Sequence, residues 1–108
     1  MKAFTFRLET LLHLREMAKD RASKDYAVAI STREHLELEL RAAVKNLEGL
    51  NYEITGKRAI GFSGFEQDGF NQSILRSKET IIDLNSKVAD SRNIEAAKRK
   101  LYLLADSN

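Results

Sequence analysis

The sequence predicts an all-α protein, an antiparallel two-helix coiled-coil hairpin. Three observations carry that expectation. The 108 residues contain no proline, so nothing in the chain forbids very long helices. All five glycines, at positions 49, 56, 61, 64 and 69, fall in the middle, which concentrates the helix breakers in one connection. On either side of it, apolar residues recur in alternating steps of three and four, the spacing of a coiled-coil seam.

The first helix is expected over about residues 6–55. Its seam reads Ala22, Tyr26, Ala29, Arg33, Leu36, Leu40, Ala43, Leu47, Leu50 and Ile54. Arg33 is the one charged member, and a leucine there completes the apolar stripe. Upstream, Leu11, Leu14, Ala18 and Ala22 lead into Tyr26, the last four residues of that series in four-residue steps. That spacing is a stutter, which locally unwinds the supercoil.

The connection is expected near 56–63. Gly56 follows Ile54 and Thr55, where a residue at positive φ closes a helix at little steric cost. Ser63-Gly64-Phe65-Glu66 reads as a capping box, with the serine accepting from the Glu66 N–H and the glutamate reaching back. Gly49 and Gly69 fall inside the helices and weaken each by about 1 kcal/mol relative to alanine.

The second helix is expected over about 64–105. Phe70, Ile74, Ser77, Ile81, Leu84, Val88 and Ser91 hold strict register. The apolar series then slips to Ile94, Ala97, Leu101 and Leu104. A connection of about eight residues favours antiparallel neighbours, so the two seams face each other. The whole chain, 1–108, is read as this single hairpin. Alanine and serine at many seam positions keep the buried stripe thin, and a partner or self-association would add stability.

Composition narrows the function. No cysteine is present, which excludes a disulfide framework, a thiol nucleophile and a Cys-based zinc site. The start, MKAFTFRLETLLHL, carries charges at Arg7 and Glu9 where a secretory signal needs an unbroken apolar run. No stretch approaches 18 consecutive apolar residues. The expectation is a soluble, cytoplasmic protein.

Catalytic constellations are missing. His13 and His35 lie 22 positions apart, about 33 Å along one helix, and cannot share a metal. Glu9 and His13 share a face, but zinc needs further ligands that the sequence does not offer. Glu34, Glu37, Glu39, Glu48 and Glu53 read as a solvated flank, because a two-helix rod has no cleft to raise a carboxylate pKa. Gly61-Phe62-Ser63-Gly64 lacks the final glycine and the preceding strand of a nucleophile elbow. The glycines and lysine of 49–57 lack the spacing and the Ser/Thr of a phosphate-binding loop. The reading is a non-enzyme with no catalytic, cofactor or metal site and no small-molecule substrate.

Charge and exposed apolar residues point instead to protein partners. Residues 1–24 carry six basic against three acidic side chains and residues 92–108 four against two, while 34–53 carry two against five. A hairpin brings the two basic segments together at its open end. A basic open end suits an acidic protein surface. Nucleic acid is disfavoured, because the interleaved aromatics of a base-stacking surface are absent. Phe4, Phe6, Leu8, Leu11, Leu12 and Leu14 cover more than one helix face, and Phe62, Phe65 and Phe70 crowd the tip. Apolar residues beyond a single stripe mark contact with something besides the partner helix.

The opening Phe4-Thr-Phe-Arg-Leu-Glu-Thr-Leu-Leu-His-Leu-Arg-Glu16 resembles the N-terminal signature of the flagellar export protein FliJ family, F-x-F-R-L-x-x-L-L-x-L-R-E, leading into a long coiled coil. Ala22, Tyr26, Ala29 and the following Leu/Glu run also resemble that family's first helix. The resemblance implies a component of the flagellar type III export apparatus with the fold of a rotary-ATPase stalk and no activity of its own. Its partners would be the export ATPase, the membrane export gate and export chaperones. It would lie in the cytoplasm, peripheral to the inner face of the membrane at the flagellar base. By position, Phe4, Phe6, Arg7, Leu11, Leu12 and Arg15 would lie on the ATPase side, and Phe62, Phe65 and Phe70 would face the gate. Two other classes fit the pattern less well. One is a secreted or chaperone-like hairpin of another secretion system, against which the lack of tryptophan speaks; the other is a nucleic-acid-binding coiled-coil arm.

Overall fold

A computed structural model describes residues 2–107. Two α-helices, α1 (Lys2–Ile60) and α2 (Gly64–Ser107), account for all of them except 61–63. The helices pack against each other as an antiparallel hairpin, with no strand among the described residues.

The connection is shorter than the glycine pattern implies. Gly56 does not end α1; it is helical, and the helix runs on to Ile60. An exposed glycine inside a helix costs only about 1 kcal/mol, less than is gained by keeping the turn's hydrogen bonds. The residue that stops the helix is Gly61, the one position of positive φ among the described residues, at +92°. Its N–H donates to the Lys57 carbonyl at 2.8 Å, closing the last turn. Three residues later the chain is helical again. Ser63 Oγ accepts from the Glu66 N–H at 3.2 Å and the Ser63 carbonyl accepts from the Gln67 N–H at 3.0 Å, the bonds of an N-cap. The Glu66 carboxylate turns toward Lys57 Nζ, 3.8 Å away. Lys57 and Arg58 in the last turn of α1, and Glu66 in the first turn of α2, also suit the helix dipoles.

The chain divides into two compact units. The unit Glu34–Ala89 holds the turn. Its interior is a seam in which Leu36, Leu40, Ala43, Leu47 and Leu50 are half-buried and Ile54 is buried, facing half-buried Phe70, Ile74 and Ile81 with buried Ser77, Leu84 and Val88. Phe62 and Phe70 close the tip edge to face, their centroids 6.1 Å apart.

The other unit combines the segment ending at Arg33 with the segment beginning at Asp90. Here Ala22, Tyr26, Ala29 and Arg33 of α1 turn inward as their spacing requires. On α2 the expected slip to Ile94, Ala97, Leu101 and Leu104 does not occur; all four are exposed. The seam instead continues in unbroken heptad steps through Ser91, Glu95, Lys98, Tyr102 and Ala105. The physical reason lies across the interface. Glu95 meets the charged seam residue Arg33 through a two-bond fork, and Tyr102 stacks at a tilt on Tyr26 with centroids 5.6 Å apart. Lys98 is half-buried there, a position its aliphatic stem can occupy while the ammonium reaches water. Geometry keeps the register and the side chains adapt to it.

The upstream series fails for a different reason. Leu11, Leu14 and Ala18 are exposed, and Ala22 is the first of that series to be partly covered. Ala105, in the final turns of α2, shares a groove with Ala18, Arg21 and Ala22. Ahead of that level, α1 has no helix beside it among the described residues.

The core is thin. Among the described residues only Ala29, Ile54, Leu84 and Val88 are buried apolar residues, joined by Ser77 and Ser91, and no side chain is wholly enclosed. At about 25 cal/mol per Å² of apolar area removed from water, such a stripe contributes little per residue, and stability must accumulate along its length.

Candidate protein-binding surfaces

The N-terminal surface is built by the unaccompanied start of α1. Every residue from Ala3 to Met17 is exposed. Successive side chains of a lone helix point 100° apart, so Phe4, Leu8 and Leu11 share one line while Phe6 and Leu12 diverge from it. The helix there is apolar on several sides, with Phe4 72% and Phe6 69% exposed. Thr10 Oγ1 donates to the Phe6 carbonyl at 2.9 Å, which leaves its oxygen lone pairs open to solvent or a partner. Phe6, Arg7, Thr10 and Leu11 line a shallow notch of about 300 Å³. Arg7 and Arg15 stand exposed among these apolar groups. All six sequence-selected residues, Phe4, Phe6, Arg7, Leu11, Leu12 and Arg15, therefore lie together on one accessible stretch of helix.

The tip behaves differently. Its three phenylalanines do not act as a set. Phe62 and Phe70 are half-buried against each other, and Phe65 is left 89% exposed. Ile60, at the end of α1, is as open as Phe65. The accessible apolar groups of the tip are thus Phe65 and Ile60. Sequence reasoning missed Ile60 because it placed that residue in the connection near 56–63, whereas α1 runs through it. A groove of about 440 Å³ beside the turn is lined by Glu53, Gly56, Lys57, Ile60, Gly61 and Glu66.

Sites for small ligands are harder to build. Among the described residues no three His, Asp or Glu side chains come together in a way that could hold a metal ion. His35 pairs with Glu39 one turn away, Nε2 to Oε1 at 2.7 Å, on an exposed face. Among the described residues no helix is long and apolar enough to cross a membrane.

What the fold and these surfaces define is a class: a helical hairpin that presents exposed apolar and basic side chains at its ends. Compared with known proteins, the chain matches no family model, no curated protein and no solved structure.

Proposed function

We propose that this protein is a non-enzymatic coiled-coil component of the flagellar type III export apparatus, coupling the export ATPase to the export gate and handling export chaperones. The observation that supports it best is a coincidence of sequence and geometry. The stretch resembling the FliJ signature, Phe4–Glu16, is the stretch of α1 with no helix against it among the described residues. A sequence pattern that serves intramolecular packing belongs in a seam. This one is exposed on several faces, which supports a contact with something besides α2.

In this reading the ATPase receives the open end through Phe4, Phe6, Leu11 and Leu12, with Arg7 and Arg15 matched to acidic groups. Apolar anchors set the lifetime of such a contact, and charges set its rate of formation. The tip, through Phe65 and Ile60, serves the gate. The protein acts in the cytoplasm at the membrane's inner face and reaches the bilayer only through its partners. It supplies no catalytic group, and any stimulation of ATP hydrolysis follows from contact.

The test is a titration of the purified cognate export ATPase against the parent chain and a Phe6→Ala/Leu12→Ala variant. Loss of binding by a variant that retains parental circular dichroism and melting supports the reading. Equal binding by both chains removes the open end as the docking site, and no binding by either removes the ATPase as the partner.

A further inference from the structure

One flank of the unit that holds both helix ends is apolar without a partner. Ile94, Leu101 and Leu104 keep coiled-coil spacing, yet they remain 54%, 55% and 60% exposed because other residues of α2 occupy the seam. Val28 of α1 joins them, lining with Ile94, Asp25 and Lys98 a groove of about 310 Å³. Asp25, Lys98 and Leu101 also line the adjoining groove of about 260 Å³. By the same register the opposite flank of α2 is mainly basic, with Arg92 and Arg99 exposed and Leu103 its one large apolar residue, 48% exposed. The asymmetry matters. A heptad-spaced apolar row that the hairpin's own partner helix leaves open is the mark of a helix with two neighbours.

We propose that a second copy of this chain docks on this flank, two hairpins forming a four-helix bundle. The flank is self-complementary. Its grooves hold Asp25 on α1 and Lys98 on α2, with Arg21 one turn before Asp25. A two-fold axis parallel to the helices lays α1 of one copy on α2 of the other. Asp25 then faces Lys98 of the second copy, and Val28 meets its Ile94 and Leu101, each contact occurring twice. Every helix also runs antiparallel to both of its neighbours, the arrangement of up-and-down bundles. A specific interface takes about 800 Å² from each partner, roughly a tenth of the 8635 Å² this chain exposes. The surface is separate from the Phe4–Arg15 stretch assigned to the ATPase, so the two proposals stand or fall independently.

Sedimentation equilibrium on the full chain decides the matter, run from micromolar to about 1 mM, the weak limit of specific association. The expected result is a concentration-dependent approach to twice 12.3 kDa. Val28→Glu/Leu101→Glu, two exposed positions outside the seam, should remain monomeric throughout with parental helix content. Asp25→Lys alone should shift the midpoint at least tenfold toward higher concentration, and Asp25→Lys/Lys98→Asp should recover most of that shift. Glu at Leu38, exposed in the other unit, should leave assembly unchanged. A parent that stays monomeric at every concentration overturns the proposal, and so does a dimer that survives the Val28/Leu101 pair.

Discussion

Arg33 and Glu95, 62 positions apart, meet across the seam with Nε to Oε2 at 2.7 Å and Nη2 to Oε1 at 3.3 Å. Their side chains are 24% and 20% exposed, too enclosed for water to replace a lost partner fully. The arginine that looks like a flaw in an apolar stripe is one half of a planar, two-bond recognition.

Replacing Arg33 by leucine therefore destabilises, although it completes the stripe on paper. It strands the Glu95 carboxylate, at a cost of about 1–3 kcal/mol. Arg33→Leu/Glu95→Leu should be as stable as the parent or more so, because an apolar pair avoids desolvating two charges. Urea denaturation of the four chains of the double-mutant cycle checks this. A single Arg33→Leu variant as stable as the parent sinks it.

Position in the seam, and not hydrophobicity, should decide what an aspartate does in α2. Val88→Asp and Leu84→Asp place a charge among buried groups and should each cost several kcal/mol. Ile94→Asp and Leu101→Asp, on exposed sites one step from the seam, should cost under about 1 kcal/mol. Thermal melts at a low concentration, where association is negligible, make the comparison. Equal losses at Val88 and Ile94 would contradict the register.

The glycines should split into two groups. Gly56 is helical and has open space where a Cβ would go, so Gly56→Ala should stabilise by about 0.5–1 kcal/mol. Gly61 sits at φ +92°, and Gly61→Ala should destabilise by about 1–2 kcal/mol despite equally open space. A gain at both positions in denaturant melts would show that the turn is not held as described.

Under the proposed contact with the export ATPase, reversing Arg7 and Arg15 should act on the rate of association. Both are exposed, so Arg7→Glu/Arg15→Glu should keep the parental melt. Association should slow, with the difference shrinking as salt rises, while Phe6→Ala/Leu12→Ala mainly quickens release. Interferometry at two ionic strengths separates the two effects. Identical salt dependence in parent and charge-reversed chains argues against steering.

The register was legible wherever apolar spacing was unambiguous, from Ala22 to Ile54 and from Phe70 to Ser91. It was misread at Ile94 and Leu101, because a polar residue counts against a seam position until its partner is known. Glu95 belongs inside only because Arg33 stands opposite, and no local pattern links residues so distant in sequence. The end of α1 was misplaced by five residues because Gly56 and Gly61 are chemically identical; only the backbone angle tells a tolerated glycine from a required one. At the N-terminus the six chosen residues all fall on one exposed stretch of α1. At the tip, composition grouped three phenylalanines that packing separates into an interlocked pair and a lone ring.

Reversal of the chain within three residues also sets an order of assembly. Phe62 and Phe70 meet after closing a very short loop, whereas Arg33 and Glu95 enclose 62 positions. Each doubling of a loop adds about 0.6 kcal/mol of closure entropy, so forming the distant pair first costs roughly 2 kcal/mol more. Zipping outward from Gly61 avoids that cost by making each new contact local to the last. The same path run backward opens the Tyr26–Tyr102 end before the turn, so amide exchange should be fastest where both termini lie and slowest around Ile54 and Leu84. Phe4 and Phe6 stand on the stretch of α1 that leads into this faster-exchanging unit.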